Sequence, residues 1–186
     1  MDQDRFWELV EAAGAVAGGD CQAQATRLAA MLEQLPAEEI SAFERHSVRL
    51  LDEADRWDLW GAAYQINSGC SDDGFVYFRG WLLTQGRAIW EAALDDPDSL
   101  ATHPAVTTGD ALECEDILYV ASVAYQGRTG KEMDRDRVDE DLAGATRPRG
   151  THWDFEDDDE LRRRSPGCRR GLADDALCPG RLVTAA

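Results

Sequence analysis

The chain has 186 residues, 44% of them hydrophobic, which is enough for one domain with a core that folds unaided. Its 19 basic and 37 acidic residues give a net charge of −18, and such a surface repels phosphate backbones and anionic lipids. We therefore predict a protein that binds neither nucleic acid nor membranes, since its apolar runs also fall short of the roughly 18 residues that a spanning helix needs.

The acidity lies mainly in the part of the chain that is predicted to fold. Residues 1–130 carry 8 arginines and 23 acidic residues, so the negative charge is not the property of an appended tail. A surface of this kind suits a basic protein partner or a metal ion, although it also serves solubility alone.

The cysteines and the N-terminus indicate a compartment. Five cysteines are an odd number, and their wide spacing without a C-x-x-C pair argues against a disulfide framework and against a structural zinc site. The acidic start, Met1-Asp2-Gln3-Asp4-Arg5, lacks the basic and apolar regions of a secretion signal. We expect a cytoplasmic protein with free thiols at Cys21, Cys70, Cys114, Cys168 and Cys178.

Three amphipathic helices are predicted in the first third of the chain. Apolar residues recur at helical spacing over residues 6–13, 25–35 and 40–51. Gly18-Gly19 ends the first helix, and each helix has a recognisable start signal. The predicted starts are Asp2 or Asp4, Asp20, and Pro36.

A fourth helix is predicted from Asp55 to Ile66, and Asn67-Ser68-Gly69 ends it because Asn and Gly tolerate left-handed backbone. Ser71 is a good N-cap for a fifth helix, which continues to about residue 94 with a bend or break at Gly86. A turn and loop cover residues 95–110, and a sixth helix spans about residues 113–128.

The predicted fold class is therefore all-α, a single helical-bundle-like domain of about six helices over residues 1–130. Residues 131–164 form a charged, mostly irregular C-terminal arm, which we expect to be anchored by Trp153 and Phe155 and to hold a short helix near Leu161. Residues 165–186 have little periodicity and several helix breakers, so we expect them to be disordered.

Aromatic and turn residues in the middle of the chain are similar to a known family in order and spacing. The segments that carry the similarity are Trp57-Asp58-Leu59-Trp60-Gly61-Ala62-Ala63-Tyr64, Gly69-Cys70-Ser71-Asp72-Asp73-Gly74-Phe75, Tyr77-Phe78-Arg79 and Trp81-Leu82. Over roughly residues 1–130 the chain resembles the domain-of-unknown-function family 4240, which is common in actinobacteria. The resemblance implies a helical domain without an assigned activity. Its relatives continue past the arm with a short apolar helix, so we interpret residues 165–186 as an aberrant end, either frameshifted or misannotated.

The segment from Asn67 to Arg79 is the predicted site, because a helix end, a glycine-containing turn and a helix start expose backbone N–H groups beside polar side chains. Its carboxylates could meet Glu113 and Glu115 of the sixth helix. Clustered carboxylates suit Mg²⁺, Mn²⁺ or Ca²⁺, or an acid–base pair. The candidate binding residues are Asn67, Cys70, Ser71, Asp72, Asp73, Arg79, Glu113 and Glu115.

Each feature of this segment also has a purely structural interpretation. Ser71 can cap the fifth helix, Asp72 and Asp73 can complement its dipole, and Arg79 can pair with a carboxylate. A Cys70–His46 nucleophile is the alternative to a packed thiol and a hydrogen-bonded helix histidine. A stacking pocket is the alternative to a core role for the aromatic set Trp57, Trp60, Tyr64, Phe75, Phe78, Trp81 and Trp90.

Two functional classes remain open at the level of sequence. An interaction or regulatory module would use the acidic surface to bind a basic protein, and we favour it because the sequence shows no recognised catalytic motif. An enzyme, or a protein that binds a metal or small molecule, would instead use the carboxylates at the Gly-Cys-Ser-Asp-Asp-Gly turn.

Overall fold

The predicted helical periodicity is realised throughout the computed structural model, which describes residues 1–108, 110–134, 148–164 and 166–168. These residues form eight α-helices, and the only β-type pairing among them is an isolated bridge between Arg56 and Arg149. The all-α fold class is therefore confirmed. The helices are α1 (Gln3–Gly14), α2 (Cys21–Glu33), α3 (Ala37–Glu53), α4 (Trp57–Ile66), α5 (Asp72–Thr84), α6 (Arg87–Asp95), α7 (Val120–Thr129) and α8 (Asp158–Arg164).

Three helices begin at predicted caps. An Asp2 carboxylate oxygen accepts the backbone N–H of Arg5 at 2.8 Å, and Asp20 accepts that of Ala23 at 3.0 Å. The Ser71 hydroxyl oxygen accepts the N–H of Gly74 at 3.1 Å. Each bond satisfies a donor that a helix start leaves without a partner, which is why short polar residues at these positions begin helices.

The predicted fifth helix is two helices, because Gly86 interrupts it with a φ of +87°. That left-handed backbone favours glycine and allows α6 to leave at a new angle. The predicted loop after α6 contains two 3-10 helices, Pro97–Thr102 and Pro104–Thr108. The predicted sixth helix begins as a 3-10 turn, Asp116–Tyr119, and becomes α-helical at α7.

The core is formed by buried side chains from all of the helices α1 to α7. α7 packs against α2 and α3. α5 contacts five other helices, namely α1, α2, α3, α4 and α6. The largest fully buried side chains are Trp90, Phe6, Phe43, Phe75, Phe78, Leu28, Leu32, Ile40, Leu59, Leu82, Leu100 and Val10. No helix among the described residues has the length and apolar character that crossing a bilayer requires.

One sequence prediction is wrong, since Cys21 and Cys114 form a disulfide rather than two free thiols. The Cα atoms of the two residues are 5.8 Å apart, a separation typical of disulfides. Cys21 is the first residue of α2, and Cys114 lies in the irregular segment before the Asp116–Tyr119 turn and α7. Their 93-residue separation gave no motif, so only the packing of α2 on the Asp116–Tyr119 turn reveals the pair.

The C-terminal arm lies along α4. The N–H of Trp57 donates to the carbonyl of Arg149 at 3.0 Å, and the N–H of Arg149 donates to the carbonyl of Asp55 at 2.7 Å. Trp153 is 5% exposed and occupies the space over Gly61, where an added Cβ would lie 2.1 Å from its ring. The predicted anchoring by Trp153 and the helix near Leu161 are thus observed.

Residues 166–168 contact the turn after α6. The N–H groups of Gly167 and Cys168 donate to the Asp98 carboxylate at 2.8 and 2.9 Å, and Cys168 is buried. Residue 165 and residues 169–186, for which we predict disorder, lie outside the described residues, as do residues 135–147 of the arm.

Candidate functional site

The predicted site is a tight turn that joins α4 to α5. Ser68 and Gly69 have φ values of +55° and +123°, and the N–H of Gly69 donates to the carbonyl of Tyr64 at 2.8 Å. This bond closes the last turn of α4 in the way that glycine at a helix end permits. The turn thereby places Ser71 at the start of α5, directly beside α4.

Asn67 connects this turn to the segment that precedes α7. Its Oδ1 accepts the N–H of Leu112 at 2.9 Å, and its Nδ2 donates to the carbonyl of Leu112 at 3.5 Å. The side-chain amide of Asn67 therefore satisfies both the N–H and the carbonyl group of Leu112, which is 5% exposed. Of the candidate residues, Asn67 has a positional role that sequence did not predict.

Glu113 lies beside the first turn of α5. A Cβ built on Gly74 would lie 3.4 Å from a carboxylate oxygen of Glu113 and 3.6 Å from the sulfur of Cys70. Both groups therefore lie within ordinary contact distance of that position. The result is a thiol and a carboxylate side by side at the first turn of α5.

Cys70 is held as a protonated thiol. Burial, and then the negative charge of Glu113, raise its pKa from 9.0 to about 11, against a smaller opposing effect of Trp60. A thiolate is the reactive form of cysteine, so these surroundings suppress nucleophilicity. His46 lies on α3 with its Nε2 3.2 Å from the carbonyl oxygen of Met1 and its ring beside Phe6, so its contacts are structural.

We expect native Cys70 to react with iodoacetamide about 100-fold more slowly at pH 8 than a thiol of pKa 9, because its thiolate fraction is that much smaller. The rate should rise with pH toward 11, and Glu113→Gln should increase it at pH 8 by removing the nearby charge. Alkylation followed by peptide mass mapping measures Cys70 separately from the other cysteines, with urea-unfolded protein as the control. Equal rates in native and unfolded protein would contradict the prediction.

The same pKa has a consequence for stability. The folded protein binds the thiol proton of Cys70 more tightly than the unfolded chain does, and this preference stabilises the fold. The stabilisation is complete below pH 9 and is lost as the pH rises through 11.

Glu115 and Asp73 lie beside Tyr77 on another part of α5. The negative charge of Glu115, followed by smaller contributions from burial and Asp73, raises the pKa of the Tyr77 phenol. The backbone carbonyl of Tyr77 accepts the N–H of Cys114 at 2.9 Å, which holds this segment against the helix. Glu113 and Glu115 therefore flank Cys114 and lie near different residues of α5.

Arg79 is engaged at the junction of α3 and α4. Its guanidinium donates to the carbonyl of Leu51 at 2.7 Å, lies 3.4 Å from a carboxylate oxygen of Asp55 and stacks 4.8 Å over the ring of Phe75. Burial lowers the pKa of Arg79, and the carboxylates of Asp55 and Asp52 oppose that shift. This arrangement matches the structural interpretation of Arg79, a paired arginine that fastens α5.

A metal centre is not assembled by the candidate carboxylates. Within the part of the chain that the structure describes, no group of three or more His, Cys, Asp or Glu side chains is placed to hold a metal ion. The candidate residues are thus distributed between the Cys70–Glu113 pair, the Tyr77 surface and the Arg79 junction.

Asp72 faces a different feature, an open cavity of about 740 Å³ between α4 and the arm. The rings of Trp57 and Trp60 stack with their centroids 5.2 Å apart and their planes 2° from parallel, and Trp60 stacks in turn on Phe75 at 4.9 Å. We call this cavity the arm cleft, and its lining residues are Trp57, Trp60, Asp72, Pro148, Gly150 and His152.

The arm side of the cleft is built by His152 and Phe155. The His152 ring meets Trp57 edge-on at 4.4 Å, while Phe155 contacts Trp57, Trp60 and Tyr64 at centroid distances of 5.4 to 6.1 Å. The indole N–H of Trp60 donates to the carbonyl of Cys70 at 3.1 Å, so the turn fixes the orientation of that ring. Tyr64 and His152 also line a neighbouring cavity of about 420 Å³.

Sequence reasoning named Trp57, Trp60 and Tyr64 mainly as core residues and did not name His152 as a site residue. Phe75, Phe78, Trp81 and Trp90 are buried as predicted, whereas the three aromatic residues of α4 are half-buried beneath the arm. Their i, i+3, i+7 spacing defined a shared face, but the arm that covers it is some 90 residues distant in sequence.

Comparison with known proteins finds a family match for the helical domain but gives no activity for it. No curated protein and no solved structure matches the chain. The family described as "Protein of unknown function (DUF4240)" matches residues 1–127, which include both disulfide cysteines, α4 and α5, whereas the arm lies outside the match. Because this match covers more than half of the 186 residues, the chain belongs to that family of proteins of unknown function.

Proposed function

We propose that the protein is a binding module whose arm cleft takes an arginine side chain of a basic partner protein. The observation that carries the proposal is a cavity that is lined by two indoles, Trp57 and Trp60, and by the exposed carboxylate of Asp72. Aromatic faces attract cations, most strongly when the ring is an indole, and the planar guanidinium of arginine also stacks on them.

The carboxylate supports a cationic occupant rather than a neutral one. Asp72 lies in the first turn of α5, where the helix dipole favours its negative charge, and it is free to face the cleft because Ser71 supplies the cap. A guanidinium between an indole face and a carboxylate would gain both interactions at once.

The charge of the whole chain supports a partner that is itself basic. With a net charge of −18, the protein attracts a positively charged segment over a Debye length of about 8 Å at physiological salt and speeds the encounter. The cleft then supplies the specific contact.

The test uses a nonapeptide of alternating arginine and glycine, titrated into the full chain and followed by tryptophan fluorescence. A matched peptide with citrulline in place of arginine keeps the shape and removes the charge. We expect the arginine peptide to bind and the citrulline peptide to bind at least 10-fold more weakly, since cation–π and ionic attraction are both lost.

Two neighbouring substitutions localise the site. Asp72→Asn should weaken binding about 5-fold, the upper end for an exposed ion pair, while Asp73→Asn should change it by less than about 2-fold. The two variants have the same net charge, both alter the first turn of α5, and only Asp72 lines the cleft. Equal effects of the two variants, or equal binding of the two peptides, would refute the arginine cleft.

A further inference from the structure

We infer that the Cys21–Cys114 pair is a redox-responsive staple: its oxidised form holds the segment before α7 against α2 and α5, and its reduction loosens that segment while the bundle stays folded. The inference is independent of what the arm cleft binds. The disulfide joins the first residue of α2 to the segment that Asn67 and Tyr77 also contact.

The two cysteine residues differ in exposure. Cys21 is half-buried at the start of a helix, whereas Cys114 is 2% exposed. A reductant therefore reaches the Cys21 side of the bond. Strained or exposed disulfides are the labile kind, so a disulfide with one half-buried cysteine at a helix start is compatible with exchange.

Backbone hydrogen bonds at Leu112 and Cys114 also attach the segment to the bundle. The N–H of Leu112 donates to Asn67, and the N–H of Cys114 donates to the carbonyl of Tyr77. Its buried side chains are Leu112, Cys114 and Ile117. α7 itself packs on α2 and α3 through separate contacts, so the bundle retains its main interface when the disulfide opens.

A nearby third thiol does not take part. Cys70 lies near Glu113 of this segment, but its surroundings keep its thiol protonated. Only a thiolate attacks a disulfide. This makes Cys70 a useful control, since it is a free cysteine next to the same segment.

The step is a thiol–disulfide exchange with a dithiol. One thiolate of the dithiol attacks the sulfur of Cys21, the Cys21–Cys114 bond breaks, and the sulfur of Cys114 leaves and takes up a proton. The second thiol of the reductant then displaces Cys21 from the mixed disulfide. The protein gains two electrons and two protons, and the dithiol becomes a cyclic disulfide.

The full chain, prepared oxidised and then reduced with dithiothreitol, tests the inference. Peptide mapping without reduction should recover Cys21 and Cys114 in one cross-linked peptide. The midpoint of thermal unfolding should fall by about 5–15 °C on reduction, given the usual contribution of a disulfide in a chain of this size. Hydrogen exchange should accelerate over residues 110–118 and at the turn of residues 67–71, and not in α3.

Two serine variants distinguish the staple from a general effect of the reductant. Cys21→Ser should behave like the reduced protein with or without dithiothreitol, whereas Cys70→Ser should retain the full redox difference. Absence of the cross-linked peptide in the oxidised protein would overturn the inference. So would equal exchange over residues 110–118 in the two redox states of the unmodified chain, a measurement that does not depend on either variant folding.

Discussion

Gly61→Ala should release the C-terminal arm from α4 and destabilise the protein, although alanine is the better helix former. A Cβ at this position would lie 2.1 Å from the Trp153 ring, and its neighbours there are the rigid carbons of an indole. Trp153 must therefore leave the space over α4. Removing a buried tryptophan costs about 3–5 kcal/mol, while replacing glycine with alanine inside a helix returns about 1 kcal/mol.

The net loss in the free energy of unfolding should lie near the lower end of the difference between these two contributions. The indole N–H of Trp153 is buried without a hydrogen-bond partner among the described residues, so exposing it to water recovers part of the loss. We expect a destabilisation of about 2 kcal/mol in denaturant unfolding, together with faster proteolysis of residues 148–164.

The decisive control repeats the substitution in a Trp153→Ala background. There the obstacle is absent, so Gly61→Ala should become neutral or stabilising by up to about 1 kcal/mol, a change of sign. Equal destabilisation in the two backgrounds would show that the indole is not what position 61 accommodates.

Gly80→Ala should have a comparable effect at the opposite side of the site. Its Cβ would lie 2.3 Å from the backbone carbonyl oxygen of Cys114 and 3.1 Å from Ile117. A backbone atom cannot move aside as the end of a flexible side chain can, so the segment before α7 must shift away from α5. Overpacking of this kind costs about 1–3 kcal/mol or more, against the gain of about 1 kcal/mol in helix propensity.

We expect a net loss of about 2 kcal/mol, seen as a fall of roughly 4–8 °C in the thermal unfolding midpoint. Gly127→Ala is the matched control, since it is a helical glycine that is exposed and faces only the carboxylate end of Glu33 at 2.8 Å. That variant should be neutral or slightly stabilising. If both variants changed the midpoint equally, close approach at Gly80 would not be the cause.

The two glycines show why the candidate site could be predicted only in part. Their neighbours, Trp153 and Cys114, are 92 and 34 residues further along the chain, and local patterns carry no information on such contacts. Gly61 and Gly80 read from sequence as weak points in helices, while in the structure they are the places where other segments come closest. Only the tertiary structure shows which segment lies against each glycine.

The dispersal of the predicted carboxylate site has a simple geometric reason. Asp72 and Arg79 are seven residues apart on α5, which is about 10 Å along a helix axis, so they share a face but serve different neighbours. Glu113 and Glu115 flank Cys114, and each approaches a different part of α5. Sequence proximity in a motif therefore did not translate into one cavity.

Local sequence features by themselves determined much of the secondary structure of this protein. The caps at Asp2, Asp20 and Ser71 and the break at Gly86 follow from hydrogen-bonding capacity and backbone freedom within a few residues, and helical periodicity defined the all-α class. The tertiary structure alone decided which distant surfaces meet. It paired Cys21 with Cys114 and laid the arm over Trp57 and Trp60, because both arrangements depend on the packing of elements far apart in the chain.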